Sequence, residues 1–428
     1  MTKKIYSELL KETIYYEKLP NGLEIFFMPK AGFTKRYAVF STNYGSNDLE
    51  FVSPHKKERI RVNEGIAHFL EHKMFEQPDG SNAFDKFAEF GANANAYTNF
   101  NTTAYLFSST ENFYEGLEHL ISYVQTPHFT KENVEKEKGI IAQEIKMYED
   151  NPDWRVFFNT LKGLYVNHPN RIDIAGTVES IYKITEDELY DCYNTFYSPS
   201  NMAIFIVGDL EYNSVMDVIL KTVKDDNAFE GELERIFPVE PKEVAKKEIE
   251  EKMAVSIPMF SIGFKDNEND LKGRELLKKE IVTEMLLNLL FKKGTVLYED
   301  LYSKNLINEN FGSDFTMNKG YGYTMISGET RDFETVKGKI FEAIKNANEK
   351  GLPFEDFDRI KKKKIGGFIK YFDSIEFIAN NFLSYHFMGI NFLDYVDVIK
   401  EVTLEDVNER LKNHLREEYA VVSLVVPK

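Results

Sequence analysis

The sequence predicts an α+β fold of two homologous domains that arose by internal duplication, each a mostly antiparallel sheet with helices packed on one face. The first observation behind this prediction is a repeat. Residues 184–189 (ITEDEL) resemble residues 402–407 (VTLEDV), and residues 203–207 (AIFIV) resemble residues 421–425 (VVSLV) at the same offset of 218 residues. The second observation is that short strand patterns alternate with longer helical patterns in each half. Each half is therefore expected to end in a helix followed by a strand.

The individual elements follow from local patterns of apolar residues. Short apolar or alternating runs predict strands over residues 23–28, 37–42, 104–108 and 203–207. The clearest helical stripe runs over residues 131–149. A segment rich in Gly and Tyr, residues 312–328, predicts a pair of strands and not a phosphate loop, because it contains no Gly-Lys-Ser/Thr.

The domain boundaries follow from a change in composition. Residues 224–252 are charged, poor in apolar side chains and contain Pro238 and Pro241, which is typical of a linker. We therefore expect an N-terminal domain over residues 1–225, a linker over residues 226–250 and a homologous C-terminal domain over residues 251–428.

The overall composition is that of an ordinary globular protein. A chain of 428 residues with 43% hydrophobic content can bury a sizeable core, and a net charge of −17 argues against a nucleic-acid partner. The single cysteine, Cys192, excludes an internal disulfide and favours a reducing compartment. The first 30 residues lack the apolar core of a signal peptide, and the chain has no run of 18 apolar residues. We therefore expect a cytoplasmic protein with no membrane partner.

The most informative motif is the string His-Phe-Leu-Glu-His at residues 68–72. On a helix, His68 and His72 stand one turn apart on one face, close enough to bind a single metal ion, and Glu71 shares that face. The order H-x-x-E-H is the reverse of the commoner zinc motif H-E-x-x-H. The alternative is a pair of surface histidines with Glu71 as an ordinary helix former, and the string alone does not decide between the two.

The residues around the motif fit a helix that begins at Asn63 as its N-cap. Lys73 lies at the edge of the apolar side of this helix, where its ammonium is expected to reach water. The apolar side, which should face the core, consists of Ile66, Ala67, Leu70 and Met74.

A catalytic zinc takes three protein ligands and one open position, so the motif needs a third ligand from elsewhere in the chain. The helix predicted over residues 131–149 presents two carboxylates on one stripe, Glu137 and Glu144. Seven residues of helix rise about 10.5 Å. Both carboxylates therefore cannot bind one ion at about 2.0–2.2 Å, and only one can be the ligand. The alternative for each glutamate is a solvated carboxylate on a helix face.

Taken together, these residues resemble the pitrilysin/insulinase family of inverted-motif zinc peptidases (inverzincins), which includes the mitochondrial processing peptidases. The resemblance covers essentially the whole chain and is closest to the bacterial two-domain members called YmfH-like. Three further segments carry it. Residues 21–25 (NGLEI) resemble the family's opening hairpin, residues 64–67 (EGIA) its lead-in to the metal helix, and residues 91–98 (GANANAYT) its substrate strand.

The resemblance implies a zinc-dependent endopeptidase that cleaves unfolded peptides or leader peptides in a closed chamber. It implies a Zn²⁺ ion held by His68, His72 and Glu144. It also implies that Glu71 is the general base and that Glu137 supports the site without binding the metal.

The resemblance further places the peptide substrate beside Asn95 and Ala96. The small side chains of residues 92–97 suggest a free sheet edge, to which an extended peptide would add as a strand. The alternative that the sequence leaves open is a buried strand with small residues under a helix.

One segment departs from the family pattern. Members that complete their own site carry, in the second domain, an arginine and a tyrosine seven residues apart, which bind substrate and stabilise the developing oxyanion. In the matching segment, residues 301–309, Tyr302 stands at the arginine position and Glu309 at the tyrosine position. We therefore expect a heterodimer in which a homologous second subunit supplies the Arg/Tyr pair, with a homodimer as the alternative.

A second class of function stays open at this point. Residues 284–288, the counterpart of residues 68–72 in the second half, contain neither histidine. The chain as a whole could then be a catalytically weak or inactive peptide-binding or assembly subunit, as among respiratory-complex relatives of the processing peptidases. The complete set of His68, Glu71, His72 and Glu144 favours the peptidase.

Overall fold

The computed structural model describes residues 2–225, 228–229, 231 and 233–428. In the N-terminal half the strands are β1 (Lys3–Ser7), β2 (Glu12–Lys18), β3 (Glu24–Pro29), β4 (Arg36–Thr42), β5 (Glu50–Val52), β6 (Arg59–Arg61), β7 (Asn93–Thr98), β8 (Thr103–Ser109) and β9 (Met202–Gly208). The helices of this half are α1 (Ile66–Lys73), α2 (Ala83–Glu89), α3 (Phe113–Val124), α4 (Lys131–Glu149), α5 (Pro152–Leu164), α6 (Val178–Ile181), α7 (Glu186–Phe196) and α8 (Tyr212–Thr222).

In the C-terminal half the strands are β10 (Glu248–Met253), β11 (Met259–Lys265), β12 (Gly312–Asn318), β13 (Tyr321–Glu329) and β14 (Ala420–Pro427). The helices are α9 (Gly273–Leu290), α10 (Val296–Ser303), α11 (Phe333–Lys350), α12 (Phe354–Tyr371), α13 (Ile375–Phe387), α14 (Tyr395–Glu401) and α15 (Leu404–His414). The strands predicted from the apolar patterns are present as β3, β4, β8 and β9, the predicted strand pair is β12 and β13, and the predicted long helix is α4.

Two sheets with the same topology confirm the duplication. Among the described residues, the first sheet has the order β1-β2-β3-β9-β4-β8-β7 and the second has the order β10-β14-β11-β13-β12. The pair β3/β9 is parallel, as is the pair β10/β14, and the remaining neighbours in both sheets are antiparallel. Because β3-β9-β4-β8-β7 and β10-β14-β11-β13-β12 correspond strand for strand, the predicted α+β class with two homologous domains is confirmed.

The repeated segments at residues 184–189 and 402–407 encode the same helix start. The Thr185 hydroxyl accepts from the N–H of Glu188, whose carboxylate accepts from the N–H of Thr185. Thr403 and Asp406 make the same reciprocal pair at the start of α15. Such a capping box satisfies two N–H groups that the first turn of a helix leaves without partners, and it therefore fixes where α7 and α15 begin.

The first sheet is covered by helices on both faces, whereas the sequence predicted helices on one face only. Phe107 of β8 contacts Phe113 of α3, with ring centroids 5.1 Å apart. On the opposite face, Phe26 and Phe205 contact Phe382 of α13 at 4.7 and 4.9 Å. The second face of the first sheet is therefore covered by α13, a helix from the second half of the sequence.

One face of the second sheet is likewise covered by a helix from the other half of the sequence. Helix α5, from the first half of the sequence, packs against β11 and β14 so closely that a Cβ on Gly263 would lie 2.5 Å from Thr160. A Cβ on Gly163 would likewise lie 2.3 Å from Val421. Helix α11 covers the opposite face. Glycine at both positions therefore permits the close contact between α5 and this sheet.

The contacts consequently divide the chain into two compact units, each made of three separate segments of the sequence. Unit 1 contains Met1–Ile145, Ile172–Phe237 and Tyr371–Ser384, and unit 2 contains Lys146–Arg171, Pro238–Lys370 and Tyr385–Lys428. This division differs from the predicted boundaries at 225 and 251 because α5 and most of α13 pack with the sheet of the other half.

The predicted linker over residues 226–250 is structured at its end. Residues 248–250 begin β10, an edge strand of the second sheet in which half-buried and exposed residues alternate. The charge of an edge strand explains why its composition resembles that of a linker. Residues 226, 227, 230 and 232 lie outside the described residues. Within the described part of the chain, no helix is long and apolar enough to cross a membrane.

In unit 2, a cluster of carboxylates, tyrosines and a lysine occupies the place that corresponds to the histidine motif. Glu284 of α9 pairs with the Lys364 ammonium and accepts a hydrogen bond from the Tyr395 hydroxyl at 3.1 Å. One turn earlier, Glu280 accepts from the Tyr385 hydroxyl, which lies 2.9 and 3.0 Å from its two oxygens. Burial raises the pKa of Glu280 to about 8, and the charge of Glu284 contributes to the increase.

We expect Glu280→Gln to flatten the dependence of stability on pH. The raised pKa of Glu280 means that the folded state holds this proton more tightly than the unfolded state, so its contribution to stability is complete below about pH 4.5 and is lost as the pH rises through about 8. Urea unfolding between pH 5 and pH 9 should show the wild type losing more stability than Glu280→Gln. Glu275→Gln, an exposed change on the same helix, is the control, and equal slopes for all three proteins would contradict the prediction.

Candidate metal centre

Helix α1, which carries the motif, begins at a glycine and not at the predicted asparagine. Its N-cap is Gly65 with φ +86°, so the prediction of Asn63 as N-cap is wrong. A Cβ on Gly65 would lie 2.3 Å from the carbonyl oxygen of Ala175, which excludes a larger residue there. Asn63 instead donates from Nδ2 to the Glu188 carboxylate at 2.8 Å. The close approach of residues 65 and 175 therefore sets the position of the motif helix.

We expect Gly65→Ala to destabilise unit 1 by roughly 2–5 kcal/mol, because a left-handed conformation and a steric overlap act together. The matched control is Gly32→Ala, which has a similar φ of +81° but nothing within 4 Å of the added Cβ. It should lose only about 1–2 kcal/mol. Urea unfolding of both variants measures the difference, and equal losses would show that the contact with Ala175 is unimportant.

The apolar side of α1 is buried as predicted, with Ile66, Ala67, Leu70 and Met74 each at most 1% exposed. The prediction that Lys73 reaches water is wrong, because its side chain is 0% exposed. Its ammonium pairs with Glu76 and lies 3.9 Å from Glu137 Oε2. Two carboxylates thus replace water around this ammonium and compensate for its burial.

The structure brings the two histidines and Glu144 to one point. His68 Nε2 lies 3.6 Å from Glu144 Oε1, and His72 Nε2 lies 3.5 Å from Glu144 Oε2. The imidazole centroids are 4.6 Å apart. Around a tetrahedral zinc with bonds of about 2.0–2.2 Å, ligand atoms stand about 3.3–3.6 Å apart. The observed separations fit this geometry, and among the described residues these three form the one group of His, Cys, Asp or Glu able to hold a metal ion.

Glu137 lies on the other side of the second imidazole. His72 Nδ1 is 3.1 Å from Glu137 Oε1, so its N–H can donate to that carboxylate and leave the Nε2 lone pair directed at the common point. Burial lowers the pKa of His72, but the hydrogen bond to Glu137 and the nearby carboxylates outweigh it and raise the pKa overall. Burial lowers the pKa of His68 to about 3. His68 is therefore neutral at physiological pH, as a ligand must be.

Glu71 lies beside the common point and is held by a strand. It is 7% exposed, and its Oε2 accepts a hydrogen bond from the Thr98 hydroxyl at 2.7 Å. Burial raises the pKa of Glu71, while the Thr98 hydrogen bond and His72 lower it by less. A carboxylate with a raised pKa next to a metal site accepts a proton more readily than a solvated one, which suits it to take and return a proton.

A pocket of about 490 Å³ opens beside Glu71 and His72. Its walls include Asn95 and Ala96 of β7, the edge strand of the first sheet, as well as the stacked rings of Phe75 and Phe84. The exposed Asn95 and half-buried Ala96 agree with a free edge and not with a strand buried under a helix. The outer side of β7 therefore pairs with no other strand among the described residues and lies beside the predicted ligands.

The two positions that depart from the family pattern both lie in unit 2. Tyr302 is in α10 and is 50% exposed, and Glu309 is exposed between α10 and β12. Neither side chain can serve as the missing cation, because neither tyrosine nor glutamate carries a positive charge.

Sequence reasoning missed two side chains of the site, Thr98 and Glu76, and wrongly placed a third, Lys73, in water. Thr98 lies at the end of the segment that resembles the substrate strand, but a threonine in a strand is ordinary and gives no separate signal. Lys73 and Glu76 are three residues apart on the continuation of the motif helix, a spacing that could have indicated an ion pair.

A helix carrying H-x-x-E-H, completed by a distant glutamate in a duplicated α+β fold, defines the inverted-motif class of zinc peptidases. Sequence comparison gives the same result. The profile of "Insulinase (Peptidase family M16)" matches residues 60–178, and that of "Peptidase M16 inactive domain" matches residues 183–364. The chain is 46% identical to "Uncharacterized zinc protease YmfH" of Bacillus subtilis (strain 168) over 429 residues, which covers all of both chains. This chain belongs to peptidase family M16.

Other relatives agree with this assignment. "Zinc protease PqqE" of Helicobacter pylori is 23% identical over 75% of this chain and 73% of its own. The crystal structure of a putative M16-like peptidase from Alicyclobacillus acidocaldarius is 36% identical, has a TM-score of 0.93 and covers 97% of this chain and 99% of that one. A protease structure from Helicobacter pylori, 18% identical with a TM-score of 0.82 and covering 97% and 99%, shares the fold. The resemblance to the YmfH-like branch is confirmed.

Proposed function

We propose that this chain is the catalytic subunit of a zinc-dependent endopeptidase that cleaves unfolded peptides. The observation that carries the proposal is the convergence of His68 Nε2, His72 Nε2 and the Glu144 carboxylate, with Glu71 beside them. The separations fit zinc, and two imidazoles with one carboxylate are a donor set typical of catalytic zinc. His68, His72 and Glu144 would hold the ion, and Glu137 would orient His72 from behind.

When bound, zinc supplies a Lewis acid that polarises a peptide carbonyl and lowers the pKa of a water molecule. Glu71 takes the proton of the attacking water and passes it to the leaving amine. Its burial supports this double role, because a low-exposure carboxylate accepts a proton more readily than a solvated one. The products are two peptides that differ from the substrate by one water molecule.

The proposed substrate is an extended peptide that adds to β7. Backbone groups on the free side of an edge strand bind main chain of any sequence, which suits an enzyme for unfolded or leader peptides. Asn95 and Ala96 lie on this edge and on the wall of the pocket next to Glu71. A strand held there would place its carbonyl groups close to the proposed zinc site.

The proposed active form is a heterodimer with a homologous subunit. Position 302 holds a tyrosine where the family pattern has arginine, and position 309 holds a glutamate where the pattern has tyrosine, so this chain lacks the Arg/Tyr pair. A partner that carries the pair would supply the oxyanion stabilisation, and a homodimer is the alternative arrangement. The buried, unpaired thiol of Cys192 is consistent with a cytoplasmic location for the complex.

Peptide cleavage with and without the partner tests the proposed function. A library of unfolded peptides is incubated with this chain alone, with the chain co-expressed with a homologous subunit that has the Arg/Tyr pair, and with each sample treated with a chelator. We expect cleavage by the pair, weak cleavage by the chain alone, and loss of cleavage on chelation with recovery after zinc is added. Full-rate cleavage by the chain alone would contradict the need for a partner subunit. Peptide binding with neither zinc nor cleavage would favour the alternative function, an inactive peptide-binding or assembly subunit.

A further inference from the structure

Thr98 joins the edge strand β7 to the carboxylate proposed to act as the base. It is the last residue of β7, and its hydroxyl donates to Glu71 Oε2 at 2.7 Å. Glu71 is a flexible side chain on a short helix, and it is 7% exposed. A hydrogen bond to one of its two oxygens restricts rotation of the carboxylate and leaves Oε1 as the oxygen that Thr98 does not occupy.

The Thr98 hydroxyl is itself held in place. Its Oγ1 lies 3.2 Å from Oγ1 of Thr103 on the neighbouring strand β8. Thr103 is 0% exposed, and its hydroxyl donates to the carbonyl oxygen of Tyr44 at 3.0 Å. A threonine hydroxyl has one hydrogen, so with the hydrogen of Thr103 on Tyr44 and that of Thr98 on Glu71, the two hydroxyl oxygens are in contact without a hydrogen bond between them. The backbone pairing of Thr98 with Thr103 fixes the distance between the two hydroxyls.

We propose that Thr98 is a positioning residue that sets the orientation of the Glu71 carboxylate. This inference rests on the proposed function, in which Glu71 moves the proton. Because β7 also carries Asn95 and Ala96, one strand both presents the edge for the substrate and holds the base. The orientation of Glu71 is thereby tied to the element on which the peptide lies, and catalysis depends on it even though Thr98 takes no part in the chemistry.

The experiment compares Thr98→Val, which keeps the shape and removes the donor, with Thr98→Ser, which keeps the donor. With the partner subunit present, we expect Thr98→Val to lower kcat by about 10- to 100-fold and to change KM by less than about 3-fold. Thr98→Ser should recover most of kcat. The matched control is Thr195→Val in the same unit, where a 0% exposed threonine hydroxyl has no hydrogen-bond partner among the described residues. It should leave kcat unchanged.

A second measurement needs neither zinc nor activity. Urea unfolding of the metal-free chain is recorded for Thr98→Val with Glu71 present and with Glu71→Ala. We expect Thr98→Val to lower the urea midpoint clearly when Glu71 is present, because the substitution then deprives a buried carboxylate of its hydrogen-bond donor. In the Glu71→Ala background the midpoint should fall much less. Equal shifts in the two backgrounds, a Thr98→Val kcat within about 2-fold of wild type, or a Thr98→Ser as slow as Thr98→Val would each overturn the inference.

If the wild type cleaves no peptide, or if Glu71→Gln cleaves as fast as the wild type, the proposed function fails and not the contact between Thr98 and Glu71. The unfolding experiment then still decides whether Thr98 holds this carboxylate. A failed proposed function and a failed positioning role therefore give different results.

Discussion

Replacing Glu71 with Gln should abolish peptide cleavage while the chain keeps its zinc. Gln has the shape of Glu and can still accept the Thr98 hydrogen bond through its amide oxygen, so the fold of the site should persist. An amide cannot take a proton from water at neutral pH. We expect kcat to fall by about 10²- to 10⁴-fold, which is the usual contribution of a general base. The assay is peptide cleavage by the chain together with the proposed partner subunit, with zinc content measured on the same sample.

The zinc measurement separates this result from a collapsed site. Loss of both zinc and activity in Glu71→Gln would show that Glu71 is needed to form the site and not only to move the proton. A Glu71→Gln protein that cleaves at the wild-type rate would rule out Glu71 as the base. The exposed change Glu89→Gln, at the end of α2, serves as the control for charge removal and should cleave like the wild type.

The second large effect distinguishes the two glutamates of α4. Glu144→Gln should lose nearly all zinc, because a charged oxygen ligand is replaced by a neutral amide at the point where the two Nε2 atoms converge. Glu137→Gln should retain zinc but bind it about 10- to 100-fold more weakly, since Glu137 supports the metal site through the His72 Nδ1 hydrogen bond and is not itself a ligand. Dialysis against a chelator of known affinity, followed by metal analysis, measures both.

The two variants are matched, because each removes one carboxylate charge from the same helix seven residues apart. The reverse order of zinc affinities would assign the ligand to Glu137. Equal losses would mean that the total charge of α4, and not a specific bond, holds the metal.

Much of this site could be predicted from the sequence because its geometry is local. Two histidines four residues apart on a helix must share a face, so the convergence of His68 and His72 requires only that α1 forms. The local sequence pattern did not decide whether Glu137 or Glu144 is the third ligand. Helix rise excluded binding by both, and family resemblance selected Glu144, which the structure places at the common point.

The remaining features depend on contacts that no local pattern encodes. An amphipathic helix shows that it has an apolar face but not which sheet the face will cover, so the exchange of α5 and α13 between the halves was not predicted. Lys73 lies at the edge of the apolar side of its helix, yet its charge is buried between the neighbouring Glu76 and Glu137, which is distant in sequence. The N-cap at Gly65 likewise depends on the backbone of residue 175.

The most direct test of this account is anomalous diffraction at the zinc absorption edge from crystals of the chain grown with zinc. We expect one zinc peak per chain, within about 2.0–2.2 Å of His68 Nε2, His72 Nε2 and a Glu144 carboxylate oxygen, with Glu137 hydrogen-bonded to His72 and not bound to the metal. A peak at another place, or a zinc ion bound by Glu137 with Glu144 turned away, would contradict it.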